Sequence, residues 1–253
     1  MKYSFITNWL RDYSKEANDK TFVIGVSGGI DSAVTSTLCA ETGALTYVVS
    51  LPIEQNKEEL SRAESHIEWL CNKYENVIPL QFNLDEVFWA FKNVFEKEDK
   101  LALANSRSRL RMTTLYHAAA LVNGLVVGTG NKVEDFGIGF YTKYGDGGVD
   151  LSPIADLLKS EVYELAQHLG IIESIQKAAP TDGLWSDNRT DEEQMGANYN
   201  DLEWAMKQIE INPSLKGLDQ EQLDIIGIYK NFNQQNQHKM NPIPVCQIPL
   251  SLL

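Results

Sequence analysis

The residues best equipped for chemistry gather in the stretch FVIGVSGGIDSA, Phe22 to Ala33. Phe22, Val23, Ile24 and Val26 read as a buried parallel strand that enters a glycine turn. Gly28 and Gly29 lack the Cβ atoms that would keep backbone N–H groups away from an oxyanion. A helix starting around Asp31 and Ser32 would aim its free N–H groups and positive end at the same point. Ser27 and Ser32 add hydroxyls within reach of phosphate oxygens. Asp31 cannot bind phosphate directly, so a carboxylate there suggests a bridging magnesium ion. The chemistry implied is the grip of a polyphosphate at a strand-to-helix turn. It is not a Walker loop, for no Gly-Lys-Ser/Thr ending follows, and GVSGGI does not complete the three-glycine dinucleotide fingerprint.

Positioning such a turn requires a sheet, and the chain alternates accordingly. Phe5, Ile6, Trp9 and Leu10 predict a packing helix within residues 1–20. After the first strand come a helix from Ala33 to Thr42 closed by Gly43, a strand from Leu45 to Leu51, a helical face of Leu60, Ala63, Ile67 and Leu70, and a strand from Val77 to Phe82. This βαβαβ order, with right-handed crossovers, predicts an α/β fold, a doubly wound parallel sheet with helices on both faces. Asp85–Phe95 and Asp99–Leu121 read as further helices, and Leu125–Gly128 as a fourth strand. Residues 128–150 then hold seven glycines with little periodicity, a length of loop that usually serves function. Leu157–Leu169 is predicted helical, as is Glu192–Ile211, weakened by Gly196. The end, NFNQQNQHKMNPIPV, reads as a polar tail.

At 253 residues the chain fits one large domain, 1–253. A net charge of −13 argues against a nucleic acid or an anionic membrane as partner. Cys39, Cys71 and Cys246 are too few and too scattered for a disulfide framework or a zinc site. No signal-peptide pattern and no membrane-length apolar run is seen, so a soluble, cytoplasmic protein is expected. His66, His117 and His168 lie on predicted helices without metal-ligand spacing and read as structural.

SGGIDS resembles the PP-loop of the ATP-pyrophosphatases. Read with ANSRSRLRMTTLY (104–116), VVGTGNKVED (126–135), GFYTKYGDGGVDLSPIADLLK (139–159), PTDGLWSDNRTDEEQMG (180–196) and HKMNPIPV (238–245), nearly the whole chain resembles the ammonia-dependent NAD synthetases. The resemblance implies a Rossmann-like fold of the adenine nucleotide alpha-hydrolase type and a ligase of NAD biosynthesis. In this reaction the nicotinate carboxylate of deamido-NAD attacks the α-phosphorus of ATP, and ammonia then displaces AMP from the acyl-adenylate. It also implies a homodimer with substrate across the interface, for which the helix around Asn105–Leu121 is the candidate contact. The N-terminal glutaminase domain of glutamine-using relatives is not expected. Val133 and Ser108 depart from the family's frequent Ser and Ala.

By the same resemblance, ATP is bound by Gly25, Val26, Ser27, Gly28, Gly29, Ile30, Asp31 and Ser32 together with Thr129, Lys159 and Thr181. Asp31 and Glu134 hold Mg2+. These two carboxylates are about 100 residues apart, yet both follow strands of one parallel sheet and can meet at its carboxyl edge. Arg109, Lys143, Asp150, His238 and Lys239 match the positions that bind deamido-NAD. Arginine forks onto phosphate or carboxylate; Asp150 could instead cap a neighbouring element. Arg107 and Arg111, two positions either side of Arg109, point elsewhere on a helix and read as solvated or interface charges. Trp185 receives no role, and no residue demands that of deprotonating ammonium. Two alternatives stay open: another PP-loop adenylating enzyme, and an ATP-sensing module without turnover.

Overall fold

A computed structural model describes residues 2–181, 183–185 and 189–252. Four strands, β1 (Thr21–Gly25), β2 (Thr46–Ser50), β3 (Val77–Gln81) and β4 (Gly124–Val126), form a parallel sheet in the order β3-β2-β1-β4. The succession from β1 to β2 and β3 runs one way and β4 joins on the other side. The chain therefore reverses direction beside β1, and a crevice opens at the carboxyl ends of β1 and β4.

Alternation along the strands sorts the core onto two faces. Phe22, Ile24 and Val48 pack against α1 (Lys2–Glu16), α2 (Ile30–Glu41), α3 (Lys57–Lys73) and, after the later strand, α6 (Lys159–Leu169). Val23, Val49 and Val126 point the other way, onto α4 (Asp85–Lys92) and α5 (Lys100–Leu121), where Phe88, Met112 and Leu115 are buried. Asp99 caps α5 by accepting from Ala102 N at 2.8 Å, one residue inside the predicted start. This is the Rossmann-like sheet with helices on both faces that the strand pattern implied.

The glycine-rich stretch 128–150 is a closed excursion from β4. Its ends are stitched together by Gly128 N to Leu151 O (2.8 Å) and Asp150 N to Val126 O (3.0 Å). Within it, Lys132–Ile138 forms a turn of π-helix capped by Asn131, whose side-chain oxygen accepts from Val133 N and Glu134 N. After a short α7 (Glu173–Gln176), the helix predicted over Glu192–Ile211 is two helices. α8 (Asp191–Met195) ends where Gly196 turns left-handed at φ 70°, and α9 (Tyr199–Ile211) restarts on the cap of Asn198.

The polar tail is helical as far as Met240, as the end of α10 (Gln220–Met240), which begins at an Asp219–Gln222 capping box. Two of its amides and a lysine turn inward, while Asn231, Gln234, Gln235 and Gln237 remain exposed. Asn233 Nδ2 donates to Gly137 O (2.7 Å), Asn236 Nδ2 to Ile138 O (2.8 Å), and Lys239 Nζ to Gly139 O (2.8 Å) and Tyr141 O (2.9 Å). A ladder of side-chain donors thus satisfies consecutive carbonyls that a π-helical turn leaves open. Val133, Ile138, Tyr199 and Leu202 close a third apolar cluster beneath it.

Candidate active site

A cavity of about 490 Å³ lies at the carboxyl edge of the sheet, walled by the turn after β1, the ends of β2 and β4, α3, α5, the excursion and α10. Gly25 to Ser32, Thr129, Glu134, Lys159, Thr181 and Lys239 all line it. The turn is internally braced. Ser27 N donates to Ser32 Oγ (3.2 Å), that hydroxyl donates to Gly29 O (3.0 Å), and Gly29 N donates to Ser27 Oγ (3.2 Å). Both serines therefore shape the turn. The N–H groups of Gly28, Ile30 and Asp31 keep no partner among the described residues and are left for an anion. Gly28 sits at φ 88°, and a Cβ there would stand 2.4 Å from Glu59 O. No other residue type fits so close an approach of α3 to the turn.

Across the cavity, Lys159 Nζ donates to Asp31 Oδ2 (2.6 Å) and Glu134 Oε1 (3.0 Å). Asn131 Nδ2 holds the other Asp31 oxygen at 3.2 Å, and Tyr199 OH donates to Glu134 Oε1 at 2.6 Å. The lysine is 2 % exposed. Burial by itself would favour the neutral amine, but the two carboxylates overcome it and raise the pKa of Lys159. At Glu134 burial pushes the pKa up, and Lys159 with the hydrogen bonds outweighs it, so the carboxyl is held below its ordinary value. At Asp31 burial prevails over the same lysine and the pKa rises. Two carboxylates against one ammonium leave an excess of negative charge on this wall.

That donor set can be tested against the magnesium ion that the sequence suggests. No cluster of three or more His, Cys, Asp or Glu ligands exists among the described residues. Mg2+, however, is commonly held by one or two carboxylates completed by water and substrate phosphate. Asp31, on the anion-binding turn itself, and Glu134, tied to it through the shared Lys159 ammonium, fit that pattern.

Two further carboxyls line the cavity, Asp135 and Asp146, which stood within motifs of the sequence but received no role there. Asp146 accepts from Ser108 Oγ (2.6 Å) and Thr142 N (3.0 Å); desolvation raises its pKa against those bonds. Asp135 accepts no side-chain bond among the described residues, and its carboxyl lies directly over Gly130. Desolvation, with Glu134, Asp146 and Asp31 nearby, pushes its pKa well up. Asn131 and Tyr199 were also missed. Asn131 stood within a quoted motif, whereas nothing around Tyr199 marks it as a partner of Glu134.

The remaining expected substrate residues lie outside the cavity. Arg109 is exposed and its Nε donates to Lys143 O (3.1 Å); Lys143 Nζ in turn reaches His238 O. Together they form a basic row on the surface. Asp150 is engaged structurally, accepting from Val126 N (2.8 Å) and Tyr116 OH (3.1 Å). Arg107 and Arg111 are not solvated charges. Arg107 pairs with Glu54, lies over the Phe88 ring and donates to Leu184 O (2.8 Å), while Arg111 holds Leu51 O (3.0 Å) and Gln55 Oε1 (2.8 Å). Of PTDGLWSDNRTDEEQMG, positions 182 and 186–188 lie outside the described residues. Thr181 holds that segment's entrance, its hydroxyl accepting from Gly183 N at 3.2 Å.

The family described as NAD synthase matches residues 2–243. An NH(3)-dependent NAD(+) synthetase of Carboxydothermus hydrogenoformans is 40 % identical over 240 residues, 92 % of each chain. Among solved structures, an NMN synthetase from Francisella tularensis aligns with a TM-score of 0.84 at 30 % identity, covering 98 % of this chain and 97 % of that one. An NH3-dependent NAD synthetase from Campylobacter jejuni, in complex with nitrate, aligns at 0.79 with 28 % identity and 97 % of each chain.

Proposed function

The chain belongs to the NAD synthase family, and from that premise and the cavity we propose that it is a ligase that amidates deamido-NAD with ammonia at the expense of ATP. The observation that carries the reading is the anion-binding turn with Lys159 and Glu134 gathered at its Asp31. In the first half-reaction the nicotinate carboxylate attacks the α-phosphorus and the bond to the β-phosphate breaks, releasing pyrophosphate. In the second, ammonia adds to the acyl carbon and AMP leaves, the surplus proton passing to solvent.

The free N–H groups of Gly28, Ile30 and Asp31 hold the pyrophosphate portion. Thr129 and Thr181 bound the cavity beside it, and the Lys159 ammonium stands where charge builds on the phosphates. Asp31 and Glu134 would hold Mg2+, which would neutralise polyphosphate charge when bound. Arg109, Lys143, Asp150, His238 and Lys239 extend the site toward the dinucleotide; the first four face the surface rather than the cavity. A second copy placed against the exposed side of α5 would cover that row, which makes a homodimer the assembly this reading requires.

The test supplies ATP, magnesium and deamido-NAD with either ammonium or glutamine and follows AMP and NAD. NAD formed with ammonium and not with glutamine supports the proposal. AMP without NAD moves the acceptor elsewhere, and silence on both refutes adenylation. A second acceptor belongs in the same assay, because the alignment to the Francisella NMN synthetase favours it. If the acid mononucleotide is turned over faster than deamido-NAD, the preferred product is the mononucleotide.

A further inference from the structure

Among the described residues four cations line the cavity, and three are already engaged. Lys159 is held by two carboxylates, Arg111 by Leu51 O and Gln55 Oε1, and Lys239 by two backbone carbonyls. The fourth, Arg62 on α3, differs. Its Nε makes one long contact to Gly28 O (3.4 Å), and no carboxylate pairs with it among the described residues. The residue is half-buried and lines the cavity.

Its position is fixed by the close approach already described. The α3 turn 59–63 lies against Gly28, and the Arg62 Cβ would be 3.3 Å from a Cβ built on that glycine. The guanidinium therefore flanks the turn whose N–H groups await an anion. ATP carries roughly four negative charges into a protein whose own net charge is −13 and whose cavity wall is rich in carboxylates. A guanidinium with an unused fork offers two parallel hydrogen bonds to a phosphate.

We propose that Arg62 is a binding residue for the terminal pyrophosphate of ATP, closing over the anion from the α3 side and retaining it as the leaving group departs. The assignment rests on the ATP-cleaving function proposed above. It predicts a selective defect: the residue touches the half of ATP that leaves and has no contact with the acceptor acid or with ammonia.

The experiment measures binding of ATP and of inorganic pyrophosphate, each with magnesium, by calorimetry to the wild type, Arg62→Ala and Arg62→Lys, beside steady-state kinetics. Arg62→Ala should weaken pyrophosphate binding and raise KM for ATP by about tenfold or more, with KM for the acceptor acid within about twofold of wild type. Arg62→Lys keeps the charge without the fork and should fall between. Circular dichroism and melting establish that each variant is folded. Equal pyrophosphate binding by wild type and Arg62→Ala overturns the assignment while leaving the function intact. Failure of the wild type to bind either ligand overturns both.

Discussion

Lys159 is the residue on which most of the site's geometry converges. Replacing it by Met leaves Asp31 and Glu134 facing each other without a counter-ion. Turnover should fall by about 100-fold, roughly 3 kcal/mol of transition-state stabilisation. Water reaches both carboxylates, at 18 % and 16 % side-chain exposure, so the folding cost is discounted to about 2 kcal/mol, readable by urea denaturation. A second residue governs acid stability. His66 is fully buried, with Nε2 3.0 Å from Ser36 Oγ and Nδ1 without a partner among the described residues, and burial lowers its pKa to about 4. The unfolded chain takes up this proton near pH 6.5. Stability is therefore full above that value and is lost as pH falls to about 4, by about 3 kcal/mol in all. Denaturation curves should show a limb that His66→Gln flattens; an unchanged limb would assign the loss to carboxylates instead. At this scale the sequence was most legible where chemistry is local, as in the turn 25–32. It was silent on Tyr199, because a tyrosine that serves a carboxylate 65 residues away leaves no trace in spacing.

Among the elements, strands and amphipathic helices announced themselves through apolar periodicity, and the β1–β3 and α1–α6 boundaries fall within a few residues of expectation. α10 did not, because its contacts are of another kind. Only Ile226 is fully buried in it, and its polar face is occupied by amide donors that periodicity methods count as solvated. The break at Gly196 was visible as a weakness, but the restart at Asn198 depends on a cap that the pattern masked. The ladder yields its own prediction. Asn233→Ala and Asn236→Ala each strand a carbonyl of the π-helical turn and should cost about 1 kcal/mol apiece. Truncation after Asn236 also removes the Lys239 bonds to Gly139 O and Tyr141 O. Turnover should then fall and uncoupled ATP cleavage rise; a truncated protein with full coupled activity would show that the last turn of α10 has no part in the site.

For the whole molecule the question is what covers the basic row of Arg109, Lys143 and His238. The side of α5 that carries Arg109 also presents Thr113, Tyr116, His117 and Leu121 to solvent, the last 73 % exposed. Leu121→Glu should shift sedimentation from dimer toward monomer and lower turnover at dilution. A wild type that sediments as a fully active monomer would remove the interface from the reaction. Such long-range matters were the least legible in the sequence, since a helix face that meets a second copy has the composition of any surface.

The contact between Asp135 and Gly130 has an evolutionary consequence. A methyl group on residue 130 would overlap the Asp135 carboxyl, 2.0 Å from its Oδ2. The two positions are therefore coupled through the rotamer of the acid. The overlapping atoms are the far end of a side chain that no side-chain bond holds among the described residues, so alanine at 130 is admissible once that side chain rotates away or is shortened. In a deep alignment the two should appear as a loosely coupled pair, with residues larger than glycine at 130 enriched on branches where the acid is shortened or lost.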